Sequence, residues 1–283
     1  MKFLKIISVT IVILNLINSS SLAKSTSKTK KFEVLQHKGI NIIPAYKRPP
    51  KGGKTVFGAE GKFRVMKATG LPKHEVGDYP NDGCPYKMKI QDYNFKAPLS
   101  PKLAKKITPL TLDMNFGVSM TGIPFDPLED IWFKNNPKSG WQYEAMSGAI
   151  FLGIDDNRAH LNKNGTYHFH GPPTSLLKIY GLAPGRESPL IGYAADGFPI
   201  YALYGDDGKS VNPSYVLKEG KRSIGGIYDG TFIQDYEYKK GAGDLDECNG
   251  KMFHGSYAYF LTYEFPFIPR CFKGEPHLSF KKK

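Results

Sequence analysis

The chain carries 30 glycines and 21 prolines among 283 residues, and they follow no period. Both residues break the interior of helices, so a helical bundle is disfavoured. The missing Gly-X-Y period excludes collagen. What remains is short extended segments joined by turns, and the sequence shows them. Tyr86, Met88 and Ile90 alternate with Lys87, Lys89 and Gln91. Leu112, Met114, Phe116 and Val118 alternate with Asp113, Asn115, Gly117 and Ser119. Tyr257, Tyr259, Leu261, Tyr263 and Phe265 repeat the pattern. Period two predicts strands with one buried and one wet face. Asp196-Gly197 is a hairpin-turn signal, and Pro199 just behind it leaves an edge strand or a loop open. Helical signals are short, Pro101 to Ile107 and Thr174 to Tyr180, and no repeat of solenoid type is seen. With 40% apolar and 13% aromatic residues the chain can bury a core. The fold class read from this is mainly β. It is a single β-rich domain, sandwich- or barrel-like, with long loops and a few short helices.

The net charge of +13 is concentrated at the ends. Residues 24–54 hold nine basic side chains and one acid, Glu33, and Lys281 to Lys283 close the chain, whereas 55–280 is neutral overall. A nucleic-acid-binding domain carries its basic residues on a folded face, so no specific nucleic-acid partner is expected. The basic leader is either a solvated, disordered segment or a contact to an anionic envelope surface.

Lys2 and Lys5 precede an apolar run from Ile6 to Ile17, and Ser21-Leu22-Ala23 follows with small residues. This is the layout of a signal peptide over 1–23. The run is too short for a membrane span, which needs about 20 apolar residues, so the mature protein should have no transmembrane anchor and be periplasmic or secreted. The domain boundaries read from composition are 24–54 for the basic leader and linker, 55–276 for the β-rich domain and 277–283 for a basic tail. Export favours disulfides. Of Cys84, Cys248 and Cys271, the last two are close in sequence and make the expected pair, leaving Cys84 free or intermolecular.

The densest chemical signal is Asp155-Asp156-Asn157-Arg158-Ala159-His160 followed by Tyr167-His168-Phe169-His170. On a strand, residues i and i+2 share a face, so His168 and His170 project together. Two adjacent imidazoles suit copper or zinc, with His160 from the preceding turn as a third ligand. H-x-H is also short enough to arise by chance, and paired His serve as hydrogen-bonding residues on sheets. No P-loop, Rossmann, G-x-S-x-G or H-E-x-x-H motif is present, so no nucleotide cofactor is expected.

Tyr167-His168-Phe169-His170-Gly171 resembles the first signature of the bacterial YHYH-domain family. So do Gly70-Leu71-Pro72-Lys73-His74, Gly122 to Pro127, Trp141 to Ala145, Ser188 to Tyr201, Cys248-Asn249-Gly250 and Pro266 to Cys271, in the family's order over roughly 65–274. The resemblance implies an exported protein of largely unassigned function. The family's second Tyr-His-Tyr-His reads Tyr257-Ala258-Tyr259-Phe260 here, and its Asn-His-Ala-His turn reads Asn157-Arg158-Ala159-His160. About half of the imidazoles are thus replaced, and the reduced ligand set is His74, His160, His168 and His170. Three functional readings follow. The first is binding of copper or zinc by that set. The second is an extracellular or surface interaction protein in which the YHYH segment is structural. The third is a hydrolase using Glu144, Asp196 and a His, where a buried Glu144 would be suited to acid–base work.

Overall fold

Short extended segments are stable only when other strands satisfy their backbone groups. The computed structural model describes residues 42–282; the expected signal peptide over 1–23 and residues 24–41 of the expected leader lie outside them. In chain order the strands are β1 (Thr55–Glu60), β2 (Phe63–Ala68), β3 (Tyr93–Pro98), β4 (Thr108–Pro109), β5 (Gly117–Ser119), β6 (Pro124–Phe125), β7 (Ala159–Leu161), β8 (Tyr167–Phe169), β9 (Gly192–Ala194), β10 (Pro199–Ala202), β11 (Tyr215–Leu217), β12 (Tyr236–Tyr238), β13 (Gly250–Phe253), β14 (Ser256–Leu261) and β15 (Cys271–Phe272). One short helix, α1 (Thr174–Ile179), falls where the sequence placed it. The fold is mainly β, built round one eight-stranded sheet in the order β13-β14-β10-β9-β5-β6-β8-β7.

That order is a duplication. Hairpin β5–β6 runs into hairpin β7–β8 through a parallel contact of β6 with β8, and hairpin β9–β10 runs into β13–β14 through a parallel contact of β10 with β14. The two units meet antiparallel along β5 and β9. Gly117, Gly122 and Pro124 have the same spacing as Gly192, Gly197 and Pro199. At the seam a Cβ on Gly117 would stand 2.6 Å from the Tyr193 carbonyl oxygen, and one on Gly192 2.3 Å from that of Val118, so neither position admits a side chain. The second hairpins match bond for bond. Asp155 Oδ1 accepts the Asn157 amide at 2.9 Å, as Asp246 Oδ1 accepts that of Cys248 at 2.9 Å. Arg158 and Asn249 are both left-handed, at φ 55° and 54°. The Arg158 carbonyl accepts His170 N, and the Asn249 carbonyl accepts Phe260 N. The Tyr167 hydroxyl donates to Asp155 Oδ2 at 2.7 Å, and the Tyr257 hydroxyl to Asp246 at 3.0 Å. In each copy, therefore, the tyrosine that opens the motif pins its strand to the entry turn of the same hairpin.

Three local expectations are corrected. Tyr86 to Gln91 forms no strand: Lys89 N and Gln91 N each bond one isolated carbonyl, and Ile90 is 68% exposed. Pro101 to Ile107 is not helical, because Leu103 and Ile107 point to solvent and a short helix needs a packed face. The wet faces of the alternating segments are also covered. Asn115 and Ser119 are buried with Phe116 and Val118, and β14 is buried from Tyr257 to Leu261. The reason is layering. Phe116 packs on Tyr259 and Phe272, and the opposite side of β14 is covered by Val211, Leu245 and Phe253. The Asp196-Gly197 turn forms as expected, with Gly197 at φ 92°. Pro199 is the first residue of a central strand, where no ladder N–H is required.

Both ends of the described chain rest on the domain. Ile43 bridges to Asp155, and Lys47 to Val76. Near the C-terminus Phe280 is fully buried against Phe95, and Lys281 bridges to Met114. Cys248 and Cys271 form a disulfide that ties the β13 hairpin to β15 across 23 residues. Cys84 is free and buried. No helix among the described residues is long and apolar enough to cross a membrane. Closing a loop of this size is worth about 3 kcal/mol in the chain-entropy model. Replacing both Cys248 and Cys271 with Ser is expected to lower unfolding free energy by about that amount, measured by denaturant titration against the oxidised protein.

Candidate metal centre

The site grows out of the β7–β8 hairpin. His160 and His168 are directly opposed in the antiparallel register, and His170 lies two residues beyond His168 on the same face. The three rings form a near-regular triangle, with centroids 4.7, 4.8 and 4.9 Å apart. Tyr167 and Phe169 take the other face and enter the core. A fourth group closes the triangle. The chain leaves β6 beside β8, with Asp126 N bonded to the Phe169 carbonyl, and three residues later presents Glu129. Glu129 Oε1 stands 2.9 Å from His160 Nε2, 3.1 Å from His170 Nε2 and 3.6 Å from His168 Nε2. His168 Nε2 and His170 Nε2 are 3.0 Å apart. All four ligand atoms lie within 4.8 Å of one another.

These spacings fit a metal. In a tetrahedral zinc site with bonds of about 2.0–2.1 Å, donors stand about 3.4 Å apart. The imidazoles are also turned for ligation. His160 Nδ1 is 2.9 Å from the Leu152 carbonyl and His168 Nδ1 is 3.1 Å from that of Thr166. Each Nδ1–H donates outward, which turns Nε2 toward the centre, where it offers its lone pair to a metal that displaces the proton shared with Glu129, as in metal-binding histidines generally. The donor set of nitrogen and carboxylate oxygen suits zinc or copper.

The electrostatics are those of a partly buried carboxylate among buried imidazoles. Burial by itself raises the Glu129 carboxyl, but hydrogen bonds from His160, His168 and His170 reverse this and hold it well below its usual range. Burial lowers His168, yet the bond to Glu129 and the charge of Asp126 leave its imidazole raised. His170 is sealed from solvent, and burial pushes it down to about 3, so it is neutral and available as a ligand. A cleft of about 580 Å³ reaches Glu129, His160 and His168 from outside and is also lined by Asp126 and Lys282.

Of the four histidines singled out from the sequence, three converge and His74 does not. It lies behind β8, its ring 5.8 Å from that of Phe169 and 6.0 Å from that of Tyr167, with neither nitrogen hydrogen-bonded among the described residues. Burial lowers it to about 4. The fourth donor is Glu129, which sequence reasoning missed. It sits in an aperiodic loop, and only the parallel contact of β6 with β8 brings it over the imidazoles. Glu144 and Asp196 take no part in the cluster. Glu144 is paired with Arg270 at 2.7 Å. Asp196 accepts the Tyr259 hydroxyl at 2.5 Å and the Gly274 amide at 2.9 Å.

The duplication supplies an internal comparison. In the second unit Lys251 faces Ala258 where His160 faces His168, and Phe260 stands for His170. Ala258 and Phe260 belong there to an apolar cluster with Val211, Leu245 and Phe253. Tyr257 and Tyr259 remain as the hydroxyl anchors of Asp246 and Asp196.

A duplicated β-sheet unit with three buried histidines and a partly buried glutamate gathered at the edge hairpin of one copy thus defines the class of this protein. The family model described as YHYH protein matches residues 94–274, well over half of the chain, and the chain belongs to that family. No curated protein and no solved structure matches it.

Proposed function

We propose that this chain is an exported metal-binding protein in which His160, His168, His170 and Glu129 hold one divalent transition metal, copper or zinc. One observation carries the reading: three Nε2 atoms and one carboxylate oxygen, from two separate stretches of chain, meet within 4.8 Å. Bringing so many polar atoms together in a buried place is costly without a partner charge. The metal would supply Lewis acidity or, as copper, a redox couple. The protein's part is to fix the imidazole tautomers through Leu152 and Thr166 and to keep His170 dry. The export side of the proposal draws support from the Cys248–Cys271 disulfide, which suits an oxidising compartment.

The test is metal content. Mature protein without a His tag is dialysed against copper or zinc, then against buffer, and analysed by mass spectrometry. The expected result is close to one metal per chain, since the second unit has lost its ligands. Retention should fall on acidification, because protons compete for the same lone pairs. Absence of retained metal at neutral pH would overturn the proposal.

A further inference from the structure

Asp126 directly follows β6 and lines the cleft that reaches the histidines. Its side chain is buried, at 4% exposure. Oδ2 is held by Lys282 Nζ at 2.5 Å, while Oδ1 is buried with no hydrogen-bond partner among the described residues. Carboxylate oxygens left this way cost stability, so they ask for an explanation. Asp126 also forms a wall of an adjoining cavity of about 270 Å³, with Asn115, Asn162 and Thr166. The duplicate supplies an independent indication. The register of β6 on β8 and of β10 on β14 sets Tyr201 at the place of Asp126. The buried carboxylate is present in the unit that has the histidines and missing from the unit that lacks them.

We propose that Asp126 selects the ligand of this centre, Oδ1 accepting a hydrogen bond from an N–H or O–H carried next to the atom that the metal takes. The inference rests on the metal reading above. Lys282 clamps Oδ2, so the carboxylate stays in place and its other oxygen is the one left without a protein partner among the described residues. Small neutral molecules with a donor hydrogen beside a coordinating nitrogen or oxygen are the favoured class. Molecules of the same shape without that hydrogen are disfavoured.

Pyrazole and 1-methylpyrazole make a matched probe pair, since both are neutral, bind metal through the same type of nitrogen and differ in the N–H directly beside it. The copper(II)-loaded protein is titrated with each, and binding is read from its visible and electron paramagnetic resonance spectra. Wild type should prefer pyrazole by about tenfold or more, as expected for a hydrogen bond to a charged group. The Asp126→Leu, Lys282→Met double variant keeps the bulk, removes the acceptor and leaves no unpaired lysine, and its preference should fall to near one. Should that variant fail to fold, Asp126→Asn replaces the charge-assisted bond with a weaker one and should cut the preference severalfold. A preference that survives in the variants reports the size of the methyl group and overturns the role of Asp126, as does equal binding of both probes by wild type. Copper retained together with either of those results leaves the metal site standing. Failure of wild type to retain either copper or zinc overturns both proposals.

Discussion

Replacing His168 and His170 together with Ala is expected to abolish metal retention while the fold persists. Two of the four donors go, and with them the pair of nitrogens at 3.0 Å. Losing a partner that merely orients a ligand costs about 10–100-fold in affinity, so loss of two ligands should exceed that range and leave no metal after dialysis. Glu129→Gln removes the one anionic donor and should weaken binding strongly as well. The discriminating control is His74→Leu. His74 lies on the opposite side of β8, against Tyr167 and Phe169. The variant should keep full metal content and lose no stability, because a buried ring with two unbonded nitrogens is replaced by an apolar group of similar size. Metal content and thermal unfolding, measured on the same samples, separate these cases. Loss of metal in His74→Leu with wild-type stability would mean that the ligand set is wrong.

Arg270→Ala is expected to be the most destabilising single change, at about 3–5 kcal/mol, because it leaves a buried charge without its partner. Glu144 is 1% exposed, and its Oε2 lies 2.7 Å from Arg270 Nη2. Burial raises the Glu144 carboxyl, and the Arg270 guanidinium opposes that shift. Without the guanidinium the carboxyl moves further up. A raised folded-state pKa favours the folded protein when the group is protonated and loses that contribution as pH climbs through it. The deficit of Arg270→Ala should therefore shrink as pH is lowered and be largest at neutral pH and above. Glu144→Gln in the same background should recover much of it. Arg270 Nη1 also donates to the Pro127 carbonyl at 2.9 Å, two residues before Glu129. The variant should consequently bind metal more weakly as well, through a looser loop. Denaturant titrations across pH test the first claim, and metal content of the folded fraction tests the second.

How much of this was legible in the sequence depends on how far the cause lies along the chain. Period-two alternation marked the β class and most of β14. Asp196-Gly197 marked the β9–β10 hairpin, because its left-handed turn is a local backbone requirement. The segment Tyr86 to Gln91 alternated just as well and formed no strand, since no neighbour offered a ladder. The duplication left a sequence trace in the equal spacing of Gly117, Gly122 and Pro124 with Gly192, Gly197 and Pro199. Three residues in each copy are too few to find without the pairing that aligns them.

At the site the division is the same. The sequence by itself determined that His168 and His170 share a face, because successive side chains on a strand alternate by covalent geometry. The same alternation puts Tyr167 and Phe169 on the opposite face. Only the tertiary structure decided that His160 faces His168, that Glu129 completes the group and that His74 is shut behind the strand. Those outcomes depend on which strands lie side by side. That is settled by the burial of the whole core and by long-range backbone hydrogen bonds, neither of which a local pattern contains.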